Sequence, residues 1–313
     1  MSYILNRILS MLLTLFLISA VTFAVTNILP GDVAMIIMGT QSNPEALAGL
    51  RESLGLNDPL LAQYGRWIGG MLSGDWGTSL VFKEPIAPLL LQKMTASALI
   101  VLLSMTIALV CAVPLGVWAA VYPNRWQDTA SSSASLLGVS LPDFFWGIMM
   151  ILLFARGLGW LPSSGFVDPG EDVLGAFRHA LLPSLALGLG LMAHLTRMTR
   201  ATMTGILNQE FIRVARAKGL GERTVIWRYA LANAVGPVMT VAGLQVGYLF
   251  GSIIVVESLF NYTGMGWLTY QGLLNRDIPL IQATVFVVAA VVMLANLLVD
   301  LLYVVVDPRI RLS

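Results

Sequence analysis

The chain has 313 residues, 57% of them hydrophobic and only 11% charged, with a net charge of +1 and a mean hydropathy of +0.80. Soluble chains average about 25% charged residues, so this composition excludes a soluble domain and predicts a polytopic, all-α membrane protein. The small net charge gives no bulk attraction to nucleic acid, and the lone Cys111 has no partner for an intrachain disulfide.

A membrane span needs about 20 apolar residues, and six charge-poor runs meet that length. The first, Ile8–Leu29, is too long for a signal-peptide core and lacks a small-x-small cleavage site, so it reads as a retained helix within residues 1–30. Residues 31–93 are long for a simple loop and carry Trp67 and Trp76 between glycines and prolines. They are expected to form a small ordered element on the outer face. The five-helix core, 94–306, holds spans near Thr95–Tyr122, Ala134–Ala155, His179–Thr196, Tyr229–Val256 and Ile278–Val306, followed by a tail, 307–313. Asp143 falls inside the third span and Asp300 near the end of the sixth.

Six spans put both termini on one side. With that side cytoplasmic, 11 of the 18 Lys and Arg are cytoplasmic, including Arg7, Arg125, Arg309 and Arg311. This agrees with the positive-inside bias. Seven of the 18 lie from Arg197 to Arg228, five of them in a loop taken as 201–235. Arg197 and Arg200, just before it, mainly fix topology. Within the loop, Phe211, Val214 and Ala215 share one helical face, and Arg213 and Arg216 share another. Gly219 and Gly221 bracket Leu220, and glycine is the usual residue where a helix ends left-handed. Glu222 then suits the start of a second short helix. A topology signal needs only scattered charges, whereas two amphipathic helices around a glycine corner predict a docking element.

Catalytic and metal chemistry have no visible basis. The three lysines, Lys83, Lys93 and Lys218, follow no phosphate-loop pattern. His179 and His194 lack a metal-ligand spacing. The Ser-Ser-Gly-Phe run at Ser163 lacks a nucleophile-elbow context. No catalytic residue, metal or resident cofactor is expected. In the fifth span Gly243, Gly247 and Gly251 form a small-xxx-small series for helix packing. Gln245, Tyr248 and Ser252 fall on the opposite face, either lining a solute path or bonding internally. Asp143 follows Pro142; an intramembrane acid faces the bundle interior, where it either meets a cationic solute group or pairs within the protein.

The stretch ARAKGL, Ala215–Leu220, followed by ALANAVGP, Ala230–Pro237, resembles the cytoplasmic loop of type I ABC importer permeases of the peptide and nickel branch. The general family loop reads Glu-Ala-Ala, three residues, then Gly. Aligned on Gly219, Arg213 stands at the Glu position and Val214 at the first Ala, while Ala215 is kept. The general Ile-x-Leu-Pro ending keeps Leu231 but not its neighbours, as Tyr229 and Ala232 stand in their place. Further stretches are similar in order and spacing: LPGDVAMIIMG from Leu29, ESLFNYTGMGWLTYQGLLNRDIPLIQA from Glu257 and NLLVDLLYVVVDPRIR from Asn296.

The resemblance implies a six-helix, MetI-like permease fold in a bacterial inner membrane. It implies an ATP-driven importer whose coupling helices dock on an ATPase through Arg213, Ala215, Arg216, Lys218, Gly219, Leu220, Gly221 and Glu222. It further implies two ATPase subunits or domains that bind ATP and Mg, a second permease forming a heterodimer, and an extracytoplasmic binding protein. Cargo would be di- or oligopeptides, with nickel chelates or other small solutes as the alternative. A stand-alone secondary transporter usually shows internal repeats, and none is apparent here.

Overall fold

The computed structural model describes residues 2–28, 33–38, 43–53 and 55–306. The Pro30–Asp32 motif and the tail 307–313, with Arg309 and Arg311, lie outside the described residues, as does the side chain of Asp300. Thirteen α-helical elements follow in order among the described residues: α1 Ser2–Ile28, α2 Val33–Met38, α3 Pro44–Ser53, α4 Leu60–Ser73, α5 Ile86–Val121, α6 Trp126–Ser140, α7 Asp143–Met150, α8 Val173–Leu207, α9 Glu210–Ala217, α10 Glu222–Thr224, α11 Leu231–Leu259, α12 Met265–Leu274 and α13 Ile278–Val306. π-Helical turns at Ile151–Gly157 and Val225–Ala230 prolong α7 and join α10 to α11. The chain is therefore an all-α polytopic membrane protein.

Five helices are long and apolar enough to cross a membrane: Leu5–Ile28, Ile86–Val121, Val173–Leu207, Glu222–Leu259 and Ile278–Val299. The expected third span is not one straight helix. It breaks at Leu141–Pro142 into α6 and α7, whose axes are bent by 102°. Pro142 has no N–H to continue the ladder of α6, and it occupies the N-cap of α7 with an extended ψ of 151°. Each arm has about 15 residues, or about 22 Å of helix, which is short of the roughly 30 Å hydrocarbon core. Only the bent pair taken together is long enough for a sixth crossing, so the described residues hold five to six candidate spans. The helices α5, α8 and Glu222–Leu259 extend beyond the expected spans 2, 4 and 5 at one or both ends.

The chain divides into two compact units. The first comprises Met1–Ala96 and Thr263–Met293. In it an aromatic group ties α4 to α1: Tyr64 and Trp67 lie 5.4 and 5.9 Å from the Phe23 ring, and the Tyr64 and Ser19 hydroxyls are 2.7 Å apart. Gln282 of α13 donates to Thr26 Oγ1 at 2.7 Å. Asp277, fully buried, caps α13 through the Leu280 N–H and accepts from Ser79 Oγ at 2.6 Å and the Val81 N–H at 3.1 Å. That carboxylate fixes the loop before α5 to the start of α13.

The second unit comprises Ser97–Tyr262 and Leu294–Ser313. Its centre is α8, with buried residues on most of its circumference between Ala176 and Ile206. Small residues let its neighbours approach. A Cβ on Gly138 of α6 would sit 2.7 Å from Ala193 Cβ, and one on Gly188 would sit 3.4 Å from the Ser104 carbonyl. A Cβ on Gly147 of α7 would meet Leu259 Cδ2 at 2.7 Å. Arg200, expected mainly to fix topology, also pairs with the buried Asp128 of α6 through both guanidinium edges. Burying a carboxylate is tolerated here because the fork satisfies both its oxygens.

Candidate functional site

The basic loop is a corner built on three long helices. Its α9 ends in a Schellman motif: Gly219 takes φ +77°, its N–H reaches the Arg216 carbonyl at 2.9 Å, and the Leu220 N–H reaches the Ala215 carbonyl at 3.4 Å. Gly221 is not left-handed; at φ −63° it forms the N-cap of α10. The second element is not a separate short helix. It continues without a loop through the π turn into α11, so Glu222–Leu259 is one 38-residue helix.

The apolar row of α9 facing the bundle is Ile212 and Ala215, 0% and 4% exposed, rather than Phe211 and Val214. These two pack with Val117 and Ala120 of α5, Met203 and Ile206 of α8, Val225, Ala230 and Ala234, with Leu220 against the same cluster. Ala215 is thus placed inside the chain and is not available to a partner. Arg216 turns back to Glu222, Nε to Oε1 at 2.8 Å, and braces the corner. What remains outward is Phe211, Arg213, Val214, Lys218, Gly219 and Trp227. This mixed basic and apolar surface suits a protein partner better than a purely solvated charge run does. Phe211 and Val214 form a second, exposed row beside the buried one, because two adjacent apolar rows fit the same helical period.

The candidate pathway residues divide. Tyr248 Oη donates to Asp143 Oδ2 at 3.0 Å, and Ser252, one turn on, is within reach of the same phenol. Asp143 is 8% exposed, the first residue of α7, with its other oxygen seated against Gly190 of α8. A carboxylate at a helix N-terminus is favoured by the helix dipole. Tyr248 is 47% exposed, and Gln245 and Ser252 are half-buried on the same row of α11. The glycine series does not act as one seam. A Cβ on Gly243 would collide with Val299 of α13, Gly247 is half-buried, and Gly251 is exposed with nothing near its Cβ position. The close glycine contacts are at Gly116, Gly138, Gly147, Gly188, Gly190 and Gly243 instead. Isolated glycines on separate helices give no periodic signal in one chain.

Three further features were not singled out by the sequence. Glu257, fully buried, accepts a 2.5 Å hydrogen bond from Ser97 Oγ. Burial, with the Glu257 carboxylate nearby, pushes the Tyr262 phenol well above its ordinary range, so it stays neutral. A mostly apolar cavity of about 420 Å³ opens among α5, α6, α7 and α8, lined by Trp118, Ser131, Trp146, Met192 and Thr196. Ser131 Oγ and Trp146 Nε1 find no hydrogen-bond partner among the described residues. His179 Nδ1 lies 2.8 Å from the Gly175 carbonyl, one turn back on α8.

Residues 112–312 match the family model described as binding-protein-dependent transport system inner membrane component, and residues 1–82 match that of the N-terminal part of such components. The chain is 37% identical to the dipeptide transport system permease protein DppB of Alkalihalophilus pseudofirmus, over 99% of both chains. It is 36% identical to the glutathione transport system permease protein GsiC of Escherichia coli, again over 99% of each. A solved structure of the MetNI methionine ABC transporter in an inward-facing conformation superimposes with a TM-score of 0.59 at 18% identity, covering 70% of this chain and 96% of that one. At that identity the likeness bears on the fold alone. Five to six candidate crossings among the described residues, a structured polar loop before the Glu222–Leu259 helix, and matches covering nearly the whole length lead to one assignment: the chain belongs to the family of inner membrane components of binding-protein-dependent transport systems, as a permease of the ABC importer type.

Proposed function

We propose that this permease forms half of the translocation pathway of an ATP-driven importer for di- or oligopeptides. The peptide would be handed over by an extracytoplasmic binding protein, and both termini of the chain would be cytoplasmic. ATP and Mg would be bound by two partner ATPase subunits or domains docked on the Gly219 corner, and a second, homologous permease would supply the other half. The observation that carries this reading is the continuity of the docking corner with the pathway helix. The outward surface of Phe211, Arg213, Val214 and Lys218 is followed by one uninterrupted helix that bears Tyr248. The dipeptide and glutathione permeases to which the chain is similar support a peptide-type cargo.

The test is reconstitution in proteoliposomes of the complex that co-purifies with the tagged chain, with labelled dipeptides, glutathione and a nickel chelate offered in parallel. Uptake is expected only with ATP, binding protein and ATPase subunits together, and for the peptides. Uptake by this chain alone would overturn the reading in favour of a secondary transporter. Uptake of the nickel chelate alone would replace the cargo and leave the mechanism.

A further inference from the structure

The first unit holds an apolar surface that no residue covers among the described ones. On α4, Leu61 and Leu72 are 84% and 85% exposed. They are eleven residues apart, about three turns, so they lie on one stripe with the half-buried Ile68 between them. The adjoining face of α4 carries Tyr64, Trp67 and Met71 toward the rest of the unit. The face beyond carries Arg66, bonded to Asp58 at 2.5 Å and to the Gly55 carbonyl at 2.9 Å, together with Gly69 and Ser73. The helix therefore has three faces: one packed on protein, one polar and one apolar but bare.

The depth of α4 says what meets the bare face. Tyr64 reaches Ser19 of α1, and Ser19 lies nine residues, about 13 Å, inside the Ile28 end of that span. Leu60, Leu61 and Tyr64 line a groove of about 380 Å³ with Phe16, Phe23 and Ile28 of α1. So α4 runs beside the terminal turns of a membrane-spanning helix and not beyond them. Ile28 of α1, in the same groove, is 81% exposed, and Val21 and Val25 on another side of α1 are exposed as well, as on a span that faces lipid.

We infer that α4 is a membrane-interface helix, lying in the leaflet at the C-terminal end of α1, with phospholipid acyl chains covering Leu61, Ile68 and Leu72 and filling the groove against α1. A helix with one apolar and one charged face is held at this depth, about 5–10 Å into the headgroup and acyl boundary. The inference rests on α1 being a span and not on the proposed cargo or coupling. In the orientation proposed above, the leaflet is the outer one. A delivering protein is then left the polar face of Arg66 and Ser73, because lipid holds the other.

The test uses the full chain in lipid nanodiscs, with Cys111→Ser as background and a nitroxide on a single cysteine at Leu61, Leu72 or Ser73. Paramagnetic relaxation by oxygen, which partitions into lipid, is compared with relaxation by a water-soluble nickel chelate. At Leu61 and Leu72 oxygen is expected to dominate, and at Ser73 the chelate. Chelate-dominated relaxation at all three positions would place the stripe in water and overturn the inference. Exclusion of both reagents from Leu61 and Leu72 would show a protein cover and overturn it equally. The labelled positions are solvent-exposed within the chain, so the substitutions leave its packing intact.

Discussion

The phenol of Tyr248 on α11 donates to the carboxylate of Asp143 at the start of α7, 105 residues away in sequence and 3.0 Å away in space. Two residues picked out separately, one for its helical face and one for its depth in an apolar run, thus form one unit. The bond ties the bent pair of helices to the helix that rises from the glycine corner. Tyr248→Phe removes the donor and leaves a nearly buried carboxylate short of one partner, which costs about 1–3 kcal/mol. Detergent-solubilised Tyr248→Phe should melt earlier than the parent, and uptake should fall several-fold. Gln245→Leu, on the same row of α11, should lower uptake without loss of thermal stability or of co-purifying ATPase. Unchanged uptake in both variants at normal expression removes this row from the pathway.

Gly219 is tested by backbone, not by size. Its φ of +77° is left-handed, and a Cβ there meets nothing within 4 Å. A non-glycine residue pays about 1–2 kcal/mol for that conformation, less for asparagine and more for a branched side chain. The expected order of complex yield and of transport per ATP hydrolysed is Gly, then Asn, then Ala, then Val. Wild-type uptake and complex yield in Gly219→Val would count directly against the docking assignment.

Arg216 and Glu222 are half-exposed, so their pair contributes only about 0.2–1 kcal/mol to stability. Its effect should lie in coupling. Arg216→Glu sets two acids against each other across the glycine corner and should reduce transport. The exchanged pair, Arg216→Glu with Glu222→Arg, should restore it if the residues only brace the corner. Failure of the exchange to restore transport would mean that Arg216 itself touches the partner.

Two glycines of α11 separate packing from sequence spacing. Gly243→Ala drives a Cβ into Val299, an overpacking cost of about 1–3 kcal/mol against a helix-propensity gain of at most about 1. Gly251→Ala meets open space and keeps the propensity gain alone. Thermal unfolding in detergent should fall for the first and hold or rise for the second. Equal shifts in both would restore the idea of a continuous glycine seam.

Hydropathy made the crossings legible, because membrane depth demands length and apolarity from any helix. The sharp break of the third was not legible. Pro142 marked a local loosening, but the angle depends on how α6 and α7 each pack on α8 through Gly138 and Gly190, and on the contact of Gly147 with Leu259 of α11. The glycine corner was readable down to its left-handed residue, since the Schellman motif is local chemistry. The buried row of α9 was not. Ile212 with Ala215 and Phe211 with Val214 share one periodicity, and only the cluster around Met203 and Val225 decides between them. Asp277 and Glu257 escaped notice for a related reason: their partners, Ser79 and Ser97, lie 198 and 160 residues away.

The uninterrupted run from Glu222 to Leu259 has a mechanical meaning. At 1.5 Å per residue its 38 residues make a rod about 57 Å long. Such a rod is a lever whose base is the glycine corner. Tilting its base by about 5° would swing the far end by about 5 Å. Pro237, inside the helix, removes one backbone bond and marks where the lever can flex. Tyr248 lies three turns beyond that joint, so such a swing would load or release its grip on Asp143.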